Sequence, residues 1–93
     1  MILRLVRFTL VQQASSQAQM LADDLISAIK QQPGCKSAVF FGSDDGDCGM
    51  CVLWDSQAHA DAAYAIINPR LQGLLAGNVV APADIRNFPV LAN

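Results

Sequence analysis

The chain has 93 residues, of which 53% are apolar (AVILMFWYC) and only 15% charged, with a formal net charge of −2. Six scattered Lys and Arg residues make no basic patch, which argues against nucleic-acid binding, and no apolar run approaches the roughly 20 residues of a membrane-spanning helix. One domain with one core is expected, and the excess of apolar side chains calls for a second protein surface to cover it.

Ile2–Val11 is rich in Val, Phe, Thr and Leu and reads as a strand. Its two faces, Ile2, Arg4, Val6, Phe8, Leu10 and Leu3, Leu5, Arg7, Thr9, Val11, are both largely apolar. Ser16 and Gln19 fit a capping box. Ala18, Leu21, Ala22, Leu25, Ala28 and Ile29 then recur at helical spacing until Pro33-Gly34 stops the helix. Met1-Ile2-Leu3-Arg4 has neither the basic start nor the long apolar stretch of a secretion signal.

Lys36–Ser43 alternates as a second strand, Asp44-Asp45-Gly46-Asp47 makes a tight turn, and Cys48–Trp54 returns as a third strand. Asp55 or Ser56 caps a second helix over Gln57–Ile67. Asn68-Pro69 is expected to break it, with Pro69 opening a new short helix through Leu71, Leu74 and Leu75 that ends at Gly77-Asn78. Val79–Val90 is the last strand, placed at an edge or bent because Pro82 and Pro89 donate no ladder bond. The order β, α, β, β, α, β predicts an α+β, ferredoxin-like fold: a four-stranded antiparallel sheet with both helices on one face. A sheet of this kind should leave one face polar. The doubly apolar first strand, and Val39 and Phe41 set against Phe40 in the second, predict that a second copy covers the bare face.

Several residues carry chemistry that a site needs. His59, the only histidine, is a candidate base, set against the plain reading of a solvated first-turn side chain. Trp54 suits the wall of an aromatic-binding pocket, and Tyr64 lies ten residues further on. Arg4 and Arg7 fall on opposite faces of the first strand. One is expected to look into a pocket and hold an anion, the other to sit at a dimer rim, with Asp84 and Arg86 as candidate salt-bridge partners. Cys48-Gly49-Met50-Cys51 has the spacing of a metal knuckle or a redox pair, but residues three apart on a strand point to opposite faces. Three cysteines fit reduced thiols in a cytoplasmic protein better than a disulfide framework. Asp44, Asp45 and Asp47 read as turn chemistry, since the twelfth position of a calcium loop counted from Asp44 holds Asp55 rather than Glu.

The apolar first strand, the Pro33-Gly34 turn, the segment Gly49-Met50-Cys51-Val52-Leu53-Trp54-Asp55-Ser56 entering an Ala-rich helix, Pro69, and the Asn87-Phe88-Pro89-Val90-Leu91 end together resemble the dimeric α/β-barrel superfamily, in particular its antibiotic-biosynthesis-monooxygenase-like domains. The resemblance spans nearly the whole chain. It implies a homodimer of face-to-face sheets, a pocket between each subunit's sheet and helices, and oxidation of quinols or related aromatics by O2 without a bound cofactor. The haem-degrading subgroup resembles the chain in fold only. Its first-strand Asn, second Trp and later His have no counterparts here. Of the quinol-oxidising pattern, Trp54 matches the tryptophan, while the asparagine and tyrosine partners have no assigned positions. Three readings follow. The first is a cofactor-free oxidoreductase in which Trp54, with His59 or an Arg, positions a small aromatic. The second is a non-catalytic dimer holding a small apolar ligand. The third and remote one is a metal-binding protein using Cys35, Cys48 and Cys51.

Overall fold

Alternation along the strands decides which side of this molecule is its core. The computed structural model describes residues 1–11, 18–43, 45–76, 79–80 and 83–93. Its elements run β1 (Ile2–Thr9), α1 (Ala18–Lys30), β2 (Cys35–Gly42), β3 (Asp47–Trp54), α2 (Gln57–Leu75) and β4 (Asp84–Pro89). The four strands form one antiparallel sheet in the order β2-β3-β1-β4.

Strand side chains alternate with period two, and the register turns that alternation into rows across the sheet. On one face Val6 stands beside Met50, which stands beside Phe40, and Phe8 stands beside Cys48. These side chains share a core with Leu25 and Ile29 of α1 and with Ala60, Ala63, Ile67 and Leu71 of α2. Both helices therefore cover this face, their apolar residues recurring at the three- and four-residue steps of one helical side. Each buried Leu, Ile or Phe contributes about 1.5–3 kcal/mol relative to exposure.

The other face carries rows of a different kind. Ser37, Leu53, Leu3 and Phe88 form one, and Val39, Cys51, Leu5 and Arg86 the next. Leu3, Leu5, Cys51 and Leu53 are only half-buried, and Val39 is 57% exposed. A band of aliphatic side chains thus crosses the middle of an uncovered sheet. A third row sets Phe41, Gly49, Arg7 and Asp84 side by side. There the Arg7 guanidinium carbon lies 5.5 Å from the Phe41 ring centroid.

The loops hold by specific bonds. Gly46 has φ +90° in the β2–β3 turn, where an added Cβ would stand 2.6 Å from the Leu10 carbonyl oxygen, so only glycine fits. The Asp45 carboxylate accepts from the Ser43 hydroxyl and the Asp47 amide, and these bonds lower its pKa. Ser56 caps α2, its hydroxyl accepting from the His59 amide at 3.2 Å. The Asp55 amide donates to the Gly34 carbonyl at 2.8 Å.

Two expectations are corrected. α2 does not end at Ile67 and restart. It runs unbroken to Leu75 with Pro69 inside it, because the apolar stripe continues through Ile67 and Leu71 into the core and outweighs the bond that proline cannot make. The last strand is not continuous from Val79: Val79 makes an isolated bridge to Leu10, and β4 begins at Asp84. β4 does lie at a sheet edge. The proposed Ser16 cap, the Gln19 side chain, Asp44, the Gly77-Asn78 stop and Pro82 lie outside the described residues.

Candidate functional site

Between the sheet and α2 lies a cavity of about 40 Å³. It exists because α2 presents the small side chains of Ala60 and Ala63 to β1 and β3, where larger residues would fill the gap. Val6, Met50 and Val52 form its sheet wall, Ile29 reaches it from α1, and Ile67 and Leu71 close it along α2. One water needs roughly 10–15 Å³ of such space. The cavity in this conformation therefore takes a few waters' worth of volume, and an aromatic ring enters only with movement of lining side chains.

Four polar side chains interrupt this apolar lining: Arg4, Trp54, Tyr64 and Asn68. Trp54, the last residue of β3, is 3% exposed, and its indole Nε1 is buried with no hydrogen-bond partner among the described residues. An unpartnered buried donor costs about 1–3 kcal/mol, so this N–H stands out in a mostly apolar wall. Tyr64 is 39% exposed. Asn68 is half-buried, its Oδ1 accepting from Gln72 Nε2 at 3.2 Å. Tyr64 and Asn68 are four apart on α2 and so share a face with Ala60.

Arg4 is 9% exposed. Its Nε donates to Asn87 Oδ1 at 2.6 Å, one terminal nitrogen donates to the Ala60 carbonyl at 3.0 Å, and the other reaches Asp61 Oδ1 at 3.2 Å. Its guanidinium carbon lies 5.3 Å from the Tyr64 ring centroid. The residue thus ties β1 to β4 and to α2 while forming part of the cavity wall.

Arg7 lies elsewhere. It points to the uncovered sheet face, where one terminal nitrogen donates to both Asp47 carboxylate oxygens at 2.7 and 2.9 Å. Of the two arginines set on opposite faces of β1, Arg4 lines this cavity and Arg7, three positions on, faces the other way. Asp84 and Arg86 pair with each other rather than with Arg4 or Arg7. His59 does not line the cavity. It is exposed on the first turn of α2, with Nδ1 3.2 Å from the Ser56 hydroxyl and its ring packed over Gly34. Cys48 is buried on the helix side, and Cys51 lies on the open side. Burial pushes the Cys48 thiol pKa up, and the charges of Asp47 and Asp45 add to the effect. Burial also raises that of Cys35, opposed by Lys30.

Asn68, Asn87 and Asp61 were not singled out by the sequence. Asn68 was legible in principle, being eight residues from Ala60 and four from Tyr64. The adjacent proline had placed the end of the helix just before it.

No protein-family profile and no curated protein matches this sequence. Solved structures do match. A protein described as an antibiotic biosynthesis monooxygenase superposes with a TM-score of 0.86 at 16% identity, covering 99% of this chain and 100% of its own. The fold is that of the antibiotic biosynthesis monooxygenase domains. SnoaB of Streptomyces nogalater, a cofactor-independent oxygenase, gives a TM-score of 0.79 at 13% identity over 99% of this chain and 94% of its own. Rv0793 from Mycobacterium tuberculosis gives 0.81 at 20% identity over 99% and 96%. In this monooxygenase-type fold the Trp54 cavity lies between the subunit's own sheet and helix. Among the described residues, no helix is long and apolar enough to cross a membrane.

Proposed function

We propose that the chain is a small oxidoreductase of the cofactor-independent oxygenase type, which takes a small aromatic or quinol-like compound into the Trp54 cavity. The observation that carries this reading is the unpartnered indole N–H of Trp54 inside an apolar cavity. A ligand oxygen would satisfy it, and the surrounding methyl groups would bury the ring. The likeness in fold to SnoaB supports the reaction type.

For a quinol, two electrons and two protons pass to O2, giving quinone and hydrogen peroxide. In a monooxygenation, a ring CH2 becomes C=O, one atom of O2 enters the product, and the other leaves as water with both hydrogens. The protein's part in either case is to bind, orient and exclude water. Trp54 and Tyr64 are assigned to the substrate. His59, on the surface of the first turn, takes no direct part in this reading. A homodimer through the open face would bury Leu3, Leu5, Val39 and Leu53, and the three free cysteines fit a reducing, cytoplasmic setting.

The test is oxygen uptake with a panel of hydroquinones in the presence of a chelator. Uptake in the wild type that is lost in Trp54→Phe supports the reading. Uptake unchanged in that variant removes Trp54 from the mechanism.

A second reading, a non-catalytic dimer that binds a small ligand, is favoured by one observation: no carboxylate or imidazole lines the cavity among the described residues, so no general base stands beside the ligand. Ligand-dependent thermal stabilisation without turnover would select it.

A further inference from the structure

We infer that a groove between α1 and α2 is the ligand's way into the Trp54 cavity and that Ile67 is the gate between the two; this rests on the cavity being the ligand site, as proposed above.

The first ground is a shared residue. The groove between the helices holds about 280 Å³, with Asp24, Ser27 and Gln31 on the α1 bank and Ile66, Ile67 and Arg70 on the α2 bank. Ile67 also lines the Trp54 cavity. Its side chain, 7% exposed, is therefore a partition between groove and cavity. The cavity holds about 40 Å³ and admits a ring only when a wall moves. The space that such a movement needs lies beside Ile67, in the groove.

The second ground is which wall can give. Val6, Met50 and Val52 belong to strands paired on both sides. The Tyr64 end of the cavity is tied by Arg4, which donates to the Ala60 carbonyl at 3.0 Å and lies 5.3 Å from the Tyr64 ring centroid. The Ile67 end is weakened instead. Pro69 has no N–H to give the Ala65 carbonyl, so α2 lacks the ladder bond that spans Ile67. Isoleucine in a helix keeps largely to one χ1 rotamer. The gate therefore opens by a shift of the helix at this point rather than by side-chain rotation alone.

The third ground is the chemistry of the route. Asp24, Ser27, Gln31 and Arg70 make the groove polar, so a hydroxylated ring keeps hydrogen-bond partners until it passes the gate. Ile66, 57% exposed, offers the ring an apolar surface beside that gate.

The experiment is an anaerobic titration with hydroquinone in which the lineshape of the Trp54 indole resonance gives association and dissociation rates as well as affinity. Ser27→Trp and Gln31→Trp, at exposed positions of α1, narrow the groove. Each should slow both rates by about tenfold, as a modest rise in barrier does, and leave the affinity unchanged, because a gate acts on passage and not on the bound state. Pro69→Ala, which restores the ladder bond, should slow both rates from the helix side. Ile67→Val, one methylene smaller, should speed both together. Rates that neither tryptophan variant alters would overturn the route while leaving the cavity as the ligand site. An effect of Ile67→Val confined to dissociation would make Ile67 a wall of the bound state and overturn the gate. An indole resonance that hydroquinone does not move would overturn the ligand site and the route with it.

Discussion

Arg4 Nε donates to Asn87 Oδ1 at 2.6 Å, a side-chain bond between two residues that also stand opposite each other in the β1–β4 register. The edge strand is therefore pinned to the sheet twice, by its ladder and by a charged hydrogen bond, at the point where β1 enters the cavity wall. Asn87→Ala should destabilise the fold by about 1–2 kcal/mol, since it leaves a largely buried guanidinium short of an acceptor. Asn87→Asp, which restores the acceptor and adds charge, should recover the loss. Urea unfolding of the three proteins measures this, and equal midpoints for wild type and Asn87→Ala would refute the pinning role.

Gly34 has φ +82°, and a Cβ there would stand 2.4 Å from Cγ of His59. Gly34→Ala combines backbone strain with this clash and should cost about 1–3 kcal/mol. The clash is with a side chain, so His59→Ala in the same chain should restore part of the loss, leaving the strain. Strictly additive costs in the double variant would show that the imidazole does not pack there.

Pro69 sits inside α2. Pro69→Ala should raise stability by about 1–3 kcal/mol, because it supplies the missing helix hydrogen bond and removes the steric conflict with the preceding turn. Thermal unfolding reads the gain. A loss of stability would show that the local distortion around proline is part of the packing at Asn68 and Leu71.

The Cys48 thiol is held protonated by burial and by the nearby carboxylates. The folded pKa lies above the unfolded one, so the contribution is complete below the unfolded value of about 8.5 and falls away as pH rises through the folded value. Unfolding free energy should decline above about pH 8.5, less steeply in Cys48→Ala. Thiol alkylation under native conditions should spare Cys48 longer than the less buried Cys35 and Cys51.

The aliphatic band on the open face predicts association. The wild type should sediment near twice 9.9 kDa, and Leu5→Asp, at the centre of that band, should sediment as a folded monomer. A wild-type monomer at micromolar concentration would refute the paired-sheet arrangement.

Much of this architecture was written in periodicity. The strand-forming composition of Ile2–Val11, the alternation of Lys36–Ser43 and the helical spacing of Ala22, Leu25 and Ile29 mark these elements before packing is considered. Period-two strand geometry alone puts Cys48 and Cys51, and likewise Arg4 and Arg7, on opposite faces of the sheet. Two things were not legible. One was which of the two apolar faces of β1 meets the helices, since both carry leucine or valine and only the register with β3 decides. The other was the continuity of α2, because proline's local cost is visible in sequence while the burial of Leu71 that offsets it is a tertiary fact. Within the site, Trp54 and Tyr64 stood out as lone aromatics of their type. Asn68 and Asn87 did not, since an asparagine acquires its meaning from the partner that the fold brings to it.

Trp54 is the only tryptophan, so the ¹H–¹⁵N spectrum of the folded protein contains a single indole resonance. Titration with hydroquinone while following that resonance tests the ligand site most directly. The account predicts a saturable shift of the Trp54 Nε1 peak, accompanied by the Asn68 side-chain amide. Saturable shifts confined to Leu3, Leu5 and Leu53 on the open face, with the indole unmoved, would contradict it.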